Sequence, residues 1–212
     1  MAHDLAAAAA HLRRTCPNMR ALIRRVGPCR MQTDKQSPYE ALVRAIAHQQ
    51  LHGTAARTIT GRFVALYPDH AFPPPDQVLQ TPDAMLRACG FSGGKVAAIR
   101  DIAAKTIEGV VPTRRVAARL SDVALIERLT SIRGVGRWTV EMLLMFTLGR
   151  PDIFPVDDFG VREGYRIVYG LDVQPKPKAL AELAMPYAPH RTAAAWYMWR
   201  AVDEVKKHKQ PG

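Results

Sequence analysis

The stretch "LTSIRGVGRWTVEMLLMF", from Leu129 to Phe146, decides the fold of this protein. Apolar residues on either side of its Gly-Val-Gly turn have helical spacing, which predicts two helices joined by a short hairpin. Gly134 and Gly136 can adopt positive φ and let another backbone come close. The amide groups at the start of the second helix would then form a site for an anion such as a phosphate. A plain helix connection with a glycine C-cap is the alternative, because a Gly-x-Gly pair alone is weak evidence.

The chain is strongly basic. Its 212 residues carry a formal net charge of +11, and 48% of them are hydrophobic. This hydrophobic content is typical of a globular rather than a disordered protein. The positive charge favours a polyanionic partner, most often a nucleic acid. A basic surface that is merely solvated, with no specific partner, is the alternative.

The cysteines argue against a metal centre. Cys16, Cys29 and Cys89 are widely separated and form no C-x-x-C pair, so neither a zinc site nor a four-thiolate iron–sulfur cluster is supported. An odd number of cysteines without a leader sequence indicates a reducing compartment. No apolar run approaches the roughly 20 residues of a membrane span. We therefore expect a soluble intracellular protein, cytoplasmic and nucleoid-associated if the source is bacterial.

Helix signals dominate the rest of the chain. Ser37, Pro38 and Glu40 have the spacing of a capping box, with serine as N-cap and proline at the first helical position. Ser121 is a further N-cap candidate, whereas the three prolines between Phe72 and Asp76 predict a loop. Convincing strands are scarce, and neither an internal repeat nor a linker marks a domain boundary. The sequence predicts an all-α protein of roughly ten helices.

Two adjacent aspartates occur in "FPVDDFGVRE", shortly after the hairpin. Asp157 or Asp158 would cap the helix that follows, which is one of the commonest roles of aspartate. A carboxylate fixed at a helix N-terminus also suits the stabilisation of a cationic transition state, such as the sugar oxocarbenium ion formed when a glycosidic bond breaks. The two roles can coexist on one side chain.

Three tryptophans offer flat apolar surfaces. Trp196 and Trp199 share a face of the last long helix, and core packing is the simpler interpretation for Trp196. Trp138, directly after the hairpin, and Trp199 would instead line a pocket that stacks an extruded base. An electron-deficient, cationic base would be attracted to the indole faces.

The stretch "AHQQLHGTAAR", from Ala47 to Arg57, interrupts an otherwise apolar helix with polar residues. It is either a surface turn between two helices or a tip that enters a duplex and fills the gap left by a flipped base.

Taken together, these residues resemble the helix-hairpin-helix DNA glycosylase superfamily, and within it the alkylation-repair branch of 3-methyladenine DNA glycosylase II (AlkA-like) enzymes. The resemblance extends from about Ser37 to Arg200. It is carried by "SPYEALVRAIAHQQL", "LRACGFSGGKVAAIRDIA", "LTSIRGVGRWTVEMLL" and "DIFPVDDFGVREGYR". The hairpin followed by the aspartate pair at this spacing is the specific part.

The resemblance implies a role for each matching position. Asp158, the second aspartate of the pair, would be catalytic. The residues implied to bind the substrate base are Trp138, Trp199, Asp157 and Arg191. Those implied to contact DNA are Gly134, Gly136, Arg137 and Thr139 in the hairpin, with a wedge at Gln50, Leu51 and His52. Main-chain carbonyls implied to hold a monovalent cation, Na⁺ or K⁺, belong to Thr130, Ile132 and Val135.

Departures from the family pattern also predict function. Members that cut the DNA strand place a lysine in the hairpin where this chain has Trp138, so we expect a monofunctional enzyme without lyase activity. The iron–sulfur branch needs four cysteines near the C-terminus, and none follows Cys89 here. We expect no iron–sulfur cluster and no required cofactor. Only 36 residues precede Ser37, too few for the extra N-terminal α/β domain of some relatives.

The resemblance implies an all-α fold of two helical subdomains flanking a DNA-binding cleft. Residues 37–150, ending in the helix-hairpin-helix, would form one subdomain, and residues 1–36 with 151–212 the other. The expected activity is hydrolysis of the N-glycosidic bond of alkylated bases in double-stranded DNA by a monomeric enzyme. Two alternatives stay open, a helix-hairpin-helix module that binds DNA without chemistry and a glycosylase for a non-alkyl lesion.

Overall fold

A computed structural model describes residues 4–51 and 53–209, with side chains to residue 207. This part of the chain is helical and contains no strand, which confirms the predicted all-α class. None of its helices is both long and apolar enough to cross a membrane. The described residues form thirteen α-helices: α1 Leu5–Thr15, α2 Pro17–Val26, α3 Pro38–His48, α4 Gly53–Ala65, α5 Pro75–Gln80, α6 Asp83–Ala88, α7 Gly93–Ile107, α8 Arg114–Ala117, α9 Asp122–Thr130, α10 Arg137–Met142, α11 Phe159–Tyr169, α12 Pro177–Leu183 and α13 Arg191–Lys209.

The chain divides into two compact units. One unit comprises Asp34–Leu143 and the other comprises Met1–Thr33 with Leu144–Gly212. The predicted subdomain limits, near residues 37 and 150, stay a prediction, because compactness alone does not show which segments fold independently.

The predicted N-cap of α3 is confirmed. Ser37 Oγ accepts a hydrogen bond from the Glu40 amide at 3.1 Å, and Pro38 occupies the first helical position. The expected return bond of a capping box is replaced, however. The Glu40 carboxylate binds Arg44 Nε at 2.9 Å, an ion pair one helical turn along α3. A charged partner one turn away therefore competes with the backbone amide for this carboxylate.

The predicted loop from Phe72 to Asp76 is wrong at its end. Helix α5 begins at Pro75, because proline fits the first helical position, where no amide hydrogen is needed.

The long helix predicted after the hairpin is not α-helical throughout. It is α-helical to Met142 and then forms a π-helix from Leu143 to Thr147.

In the unit 34–143, α7 packs against α3 and α5. The Phe63 ring lies at the centre of an aromatic cluster, in edge contact with Tyr67, Phe72 and Phe91 at centroid distances of 5.7, 6.1 and 5.5 Å. Phe63 is fully buried. In the same unit, the hairpin helix α10 packs against α9 and α3.

In the other unit, α11 packs along α13. Glycine makes this contact close. A Cβ built on Gly164 would lie 2.1 Å from the Met198 carbonyl oxygen, a backbone atom of α13. Val161 and Tyr165 on α11 and Tyr197 on α13 are all buried. The close approach sets the distance between α11 and α13. It therefore decides which α13 side chain reaches the start of α11.

Candidate functional site

Of the two hairpin glycines, only Gly134 has a backbone conformation that requires glycine. Gly134 has φ +77°, and a Cβ there would lie 3.1 Å from Ala98 Cβ and 3.4 Å from Ile46 Cδ1. Gly136 does not use the positive φ that glycine allows. Gly136 is extended, with φ −89° and ψ 167°, which is the ordinary conformation of an N-cap. No atom would lie within 4 Å of a Cβ at Gly136.

The first turn of α10 matches an anion site. The first amide groups of a helix have no partner within the helix, and no side chain caps α10 at Gly136. Arg137 lies beside these amides with 59% of its side chain exposed, and its Nε binds Glu141 Oε1 at 2.9 Å. Trp138 is 46% exposed, whereas Thr139 is buried. This turn thus presents a cation and a half-exposed indole next to amide donors.

The turn from Gln49 to Leu51, here called the 49–51 turn, follows α3. Gln50 has φ +57°, which is uncommon for any residue other than glycine and costs backbone energy. The Gln50 and Leu51 side chains are exposed, whereas His52 lies outside the described residues. The turn is therefore held in a strained form that directs two of the three predicted wedge residues to the surface.

Two residues that the sequence analysis missed secure the 49–51 turn. Lys95 Nζ donates hydrogen bonds to the carbonyl oxygens of Ala47 at 2.9 Å and of Gln49 at 2.8 Å. Gln49 Nε2 donates to the Gly134 carbonyl oxygen at 3.1 Å. The turn is thus tied to α7 on one side and to the hairpin on the other.

A pocket of about 420 Å³ lies between the 49–51 turn and α10. Its volume is in the range of small-ligand sites, which are usually lined by apolar groups with a few polar atoms. The structure thereby brings the predicted indole wall and the predicted wedge residue to one place. The pocket is lined by Ala45, His48, Gln49, Gln50, Trp138, Thr139 and Met142.

Asp158 is the N-cap of α11, as predicted. Its Oδ1 accepts two hydrogen bonds at 2.8 Å, from the Val161 amide and from Trp199 Nε1. The Asp158 amide donates to the Pro155 carbonyl oxygen at 3.0 Å, which closes the turn before the helix. Asp157 is exposed, whereas Asp158 is half-buried. The carboxylate is therefore held by a backbone amide of α11 and by a side chain of α13.

Trp199 has a role that the sequence analysis did not foresee. The predicted stacking on an extruded base stays a prediction, but the indole N–H orients Asp158. The ring stacks on Phe146 at a centroid distance of 5.9 Å and an interplanar angle of 27°. It also covers Gly160, where a Cβ would lie 2.8 Å from Trp199 Cδ1 and 3.1 Å from Asp158 Oδ1. Trp196 is half-buried and meets Tyr197 edge-on at 5.0 Å, and its preferred packing role stays a prediction.

We expect Gly160→Ala to lower catalysis by about 100-fold, because the new methyl group must displace the indole that orients Asp158. Global stability should change little, since alanine favours a helix by about 1 kcal/mol over glycine and offsets the displaced contact. Single-turnover base excision and a urea unfolding curve measure the two effects. Gly61→Ala on α4 is the matched control, because a Cβ there meets no atom within 4 Å. Unchanged excision by Gly160→Ala would contradict the role of Trp199.

Arg191, which the resemblance assigns to substrate binding, makes a two-pronged ion pair with Asp152. Its Nε and one terminal nitrogen lie 2.8 Å from the two carboxylate oxygens, and its amide donates at 3.2 Å. Burial raises the pKa of Asp152, but the hydrogen bonds and charge of Arg191 outweigh it, so the pKa lies below its ordinary value. Thr192 adds a bond from the Ile153 amide to its Oγ1 at 2.9 Å. The start of α13 thus braces the segment that leads to Asp158, and the substrate role stays a prediction.

Within the described part of the chain, no group of three or more His, Cys, Asp and Glu side chains is arranged to hold a metal ion. Cys16, Cys29 and Cys89 are all free thiols.

A family model and a relative of similar length both match most of this chain. Residues 43–190 match the HhH-GPD superfamily base excision DNA repair protein family. DNA-3-methyladenine glycosylase 1 from Schizosaccharomyces pombe is 44% identical over 199 residues, which cover 93% of this chain and 87% of that protein.

Two solved structures have the same fold. The S. pombe 3-methyladenine DNA glycosylase Mag1 in complex with abasic DNA matches with a TM-score of 0.81 and 44% identity, over 91% of this chain and 95% of that one. A DNA-3-methyladenine glycosidase from Bacillus halodurans matches with a TM-score of 0.84 and 30% identity, over 94% of this chain and 91% of that one.

Proposed function

The chain belongs to the HhH-GPD superfamily of base excision DNA repair proteins, and from this premise we propose that it is a DNA-3-methyladenine glycosylase. It hydrolyses the N-glycosidic bond of alkylated bases in double-stranded DNA and leaves an abasic site. The S. pombe relative of 44% identity carries the same activity in its name, and its structure was solved with abasic DNA. Alkylated purines of the 3-methyladenine and 7-methylguanine type are the proposed substrates.

The geometry of Asp158 is the observation that carries the proposal. Its carboxylate is half-buried, caps α11 and is held at Oδ1 by Val161 and Trp199. A fixed anion needs no reorganisation when positive charge develops on the sugar in the transition state. The C1′–N bond breaks with its electron pair leaving on the base. Water supplies the oxygen that bonds to C1′ and loses its proton to solvent.

An alkylated purine suits a site of this kind. Methylation at N3 or N7 makes the base cationic, so it departs as a neutral molecule and needs no added proton. The site then needs only an anion near the sugar and an apolar surface for the base. Trp138, which lines the pocket in the unit 34–143, supplies a half-exposed indole that attracts a cationic ring. Asp157 and Arg191 are also proposed to contribute to substrate binding.

DNA binding is assigned to the hairpin and the 49–51 turn. The amides of Gly134, Gly136 and Thr139, with Arg137, are proposed to hold one phosphate, which positions the duplex without reading its sequence. The net charge of +11 makes this binding salt-dependent. Gln50 or Leu51, together with the neighbouring His52, is proposed to fill the gap that a flipped base leaves. The enzyme is proposed to act as a monomer.

The hairpin carbonyls suit a hard monovalent cation, Na⁺ or K⁺. Ile132 already accepts a hydrogen bond from the Val135 amide at 3.1 Å, but a carbonyl oxygen has a second lone pair to offer a cation. With Thr130, these residues would hold the ion, which would screen the phosphate charge at the hairpin. We propose no other cofactor and no iron–sulfur cluster.

We further propose that the enzyme is monofunctional, of the type II class and without lyase activity. Lyase chemistry needs an amine that forms a Schiff base with C1′, and the hairpin carries Trp138 where such an amine would act. Borohydride should therefore trap no covalent complex between the protein and DNA that contains 7-methylguanine, and the strand should stay uncut until alkali is added. A trapped complex would contradict this assignment.

Release of free bases from DNA treated with a methylating agent tests the activity itself. We expect chromatography to show 3-methyladenine and 7-methylguanine released by the wild-type protein. A parallel duplex with 8-oxoguanine should lose no base. Release of the oxidised base alone would favour a glycosylase for a non-alkyl lesion. Tight DNA binding without release of any base would favour a non-catalytic binding module.

A further inference from the structure

Lys95 connects α7 to the end of α3. It lies in the first turn of α7, and its ammonium donates to two backbone carbonyl oxygens beyond its own helix, those of Ala47 and Gln49. Burial lowers the pKa of this ammonium below its ordinary value. This partly buried ammonium is bonded to carbonyl oxygens rather than to a carboxylate. Its hydrogen bonds therefore fix the position of those carbonyl groups.

The two carbonyl groups lie at the C-terminal end of α3, on either side of its last residue. The last carbonyl groups of a helix have no partner within the helix, and a cation placed there is favourable. In this chain the helix does not end in glycine. It ends in a turn where Gln50 adopts φ +57°, a conformation that persists only when the surroundings enforce it. Lys95 binds the backbone immediately before Gln50.

The second tie is Gln49. Its side-chain amide donates to the Gly134 carbonyl oxygen at 3.1 Å, within the hairpin. Gln49 is therefore bound at its own carbonyl by Lys95 and at its side chain by the hairpin. The exposed Gln50 and Leu51 are the next two residues, so their position relative to the hairpin is set by these three bonds.

We propose that Lys95 and Gln49 are positioning residues that hold the 49–51 turn at a fixed place beside the hairpin, so that binding of a phosphate at the hairpin delivers the turn into the duplex. The inference rests on the proposed function, since it assigns these residues to base extrusion and not to bond cleavage. Lys95 acts through the turn and contacts no reacting atom. Its loss should therefore slow excision only where a base must be forced out of a stacked pair.

The test compares two substrates that differ only opposite the lesion. One duplex carries 7-methylguanine opposite cytosine, and the other carries it opposite a tetrahydrofuran abasic analogue. A base without a pairing partner costs less to extrude, so it depends less on the wedge. Lys95→Met removes the ammonium and keeps the length of the side chain. Lys105→Met on the same helix is the matched control, because Lys105 pairs only locally with Glu108 at 2.6 Å.

We expect Lys95→Met to slow single-turnover excision from the paired duplex by about 10- to 100-fold, the loss expected for hydrogen bonds to a charged group. Excision of the unpaired lesion should stay near the wild-type rate, and Lys105→Met should leave both rates unchanged. Equal slowing on both substrates would overturn the inference, because a general structural defect acts on both. So would an unchanged rate on the paired duplex. A wild-type protein that releases no base from either duplex would overturn the proposed function and this inference with it.

Discussion

Asp158→Asn should slow base excision severely while DNA binding is retained. Asparagine caps a helix about as well as aspartate, and its Oδ1 can accept the same bonds from Val161 and Trp199, so α11 and its surroundings stay intact. The negative charge alone is removed. Because that charge is proposed to stabilise the sugar cation, we expect the single-turnover rate to fall by about 100- to 1000-fold or more.

Two measurements separate a loss of catalysis from a loss of DNA binding or of folding. The first is the affinity for a duplex with an abasic analogue, which should be close to that of wild type. The second is the urea unfolding midpoint, which should move little. Asp4→Asn is the matched control, because Asp4 also caps a helix through its Oδ1 and has no role in the proposed site. An Asp158→Asn protein that excises at the wild-type rate would reduce Asp158 to a helix cap and favour a binding module.

Gly164→Ala should produce the largest loss of stability. The added methyl group would lie 2.1 Å from the backbone oxygen of Met198, which no side-chain rotation can relieve. Helix α11 must then separate from α13, which loosens the packing between the two helices. Overpacking against backbone makes the free energy of unfolding fall by about 3 kcal/mol or more.

Urea unfolding of Gly164→Ala beside Gly61→Ala measures this effect. Both glycines lie within helices, so the intrinsic helix preference is the same in the two variants, and only Gly164 faces another backbone. We expect the Gly61→Ala midpoint to equal or exceed that of wild type. Equal midpoints for the two variants would show that the contact between α11 and α13 is looser than the structure has it.

The caps illustrate what the sequence could predict. Ser37, Ser121 and Asp158 were recognisable as N-caps because the bond each makes reaches only three residues along the chain. The hairpin glycine at 134 was recognisable for the same reason, since its positive φ is a local property. Two glycines in one turn look equivalent in sequence, so the sequence allows positive φ at both, and only Gly134 adopts it.

The contacts that shape the site depend on distant residues. Trp199 is 41 positions from Asp158, and its bond exists because Gly160 and Gly164 let α13 approach α11 closely. No periodicity or spacing predicts such a contact. The bonds of Lys95 to the 49–51 turn span 46 and 48 positions. From the sequence alone, a lysine in the first turn of a helix is most simply interpreted as a solvated charge.

The most direct test of the central claim is the balance between free base and abasic sites in methylated duplex DNA treated with the wild-type protein. We expect one alkali-labile site for each 3-methyladenine or 7-methylguanine released, with no strand break before alkali. DNA that is bound without loss of bases would contradict the proposed glycosylase activity, and strand breaks that appear together with the released base would contradict its monofunctional character.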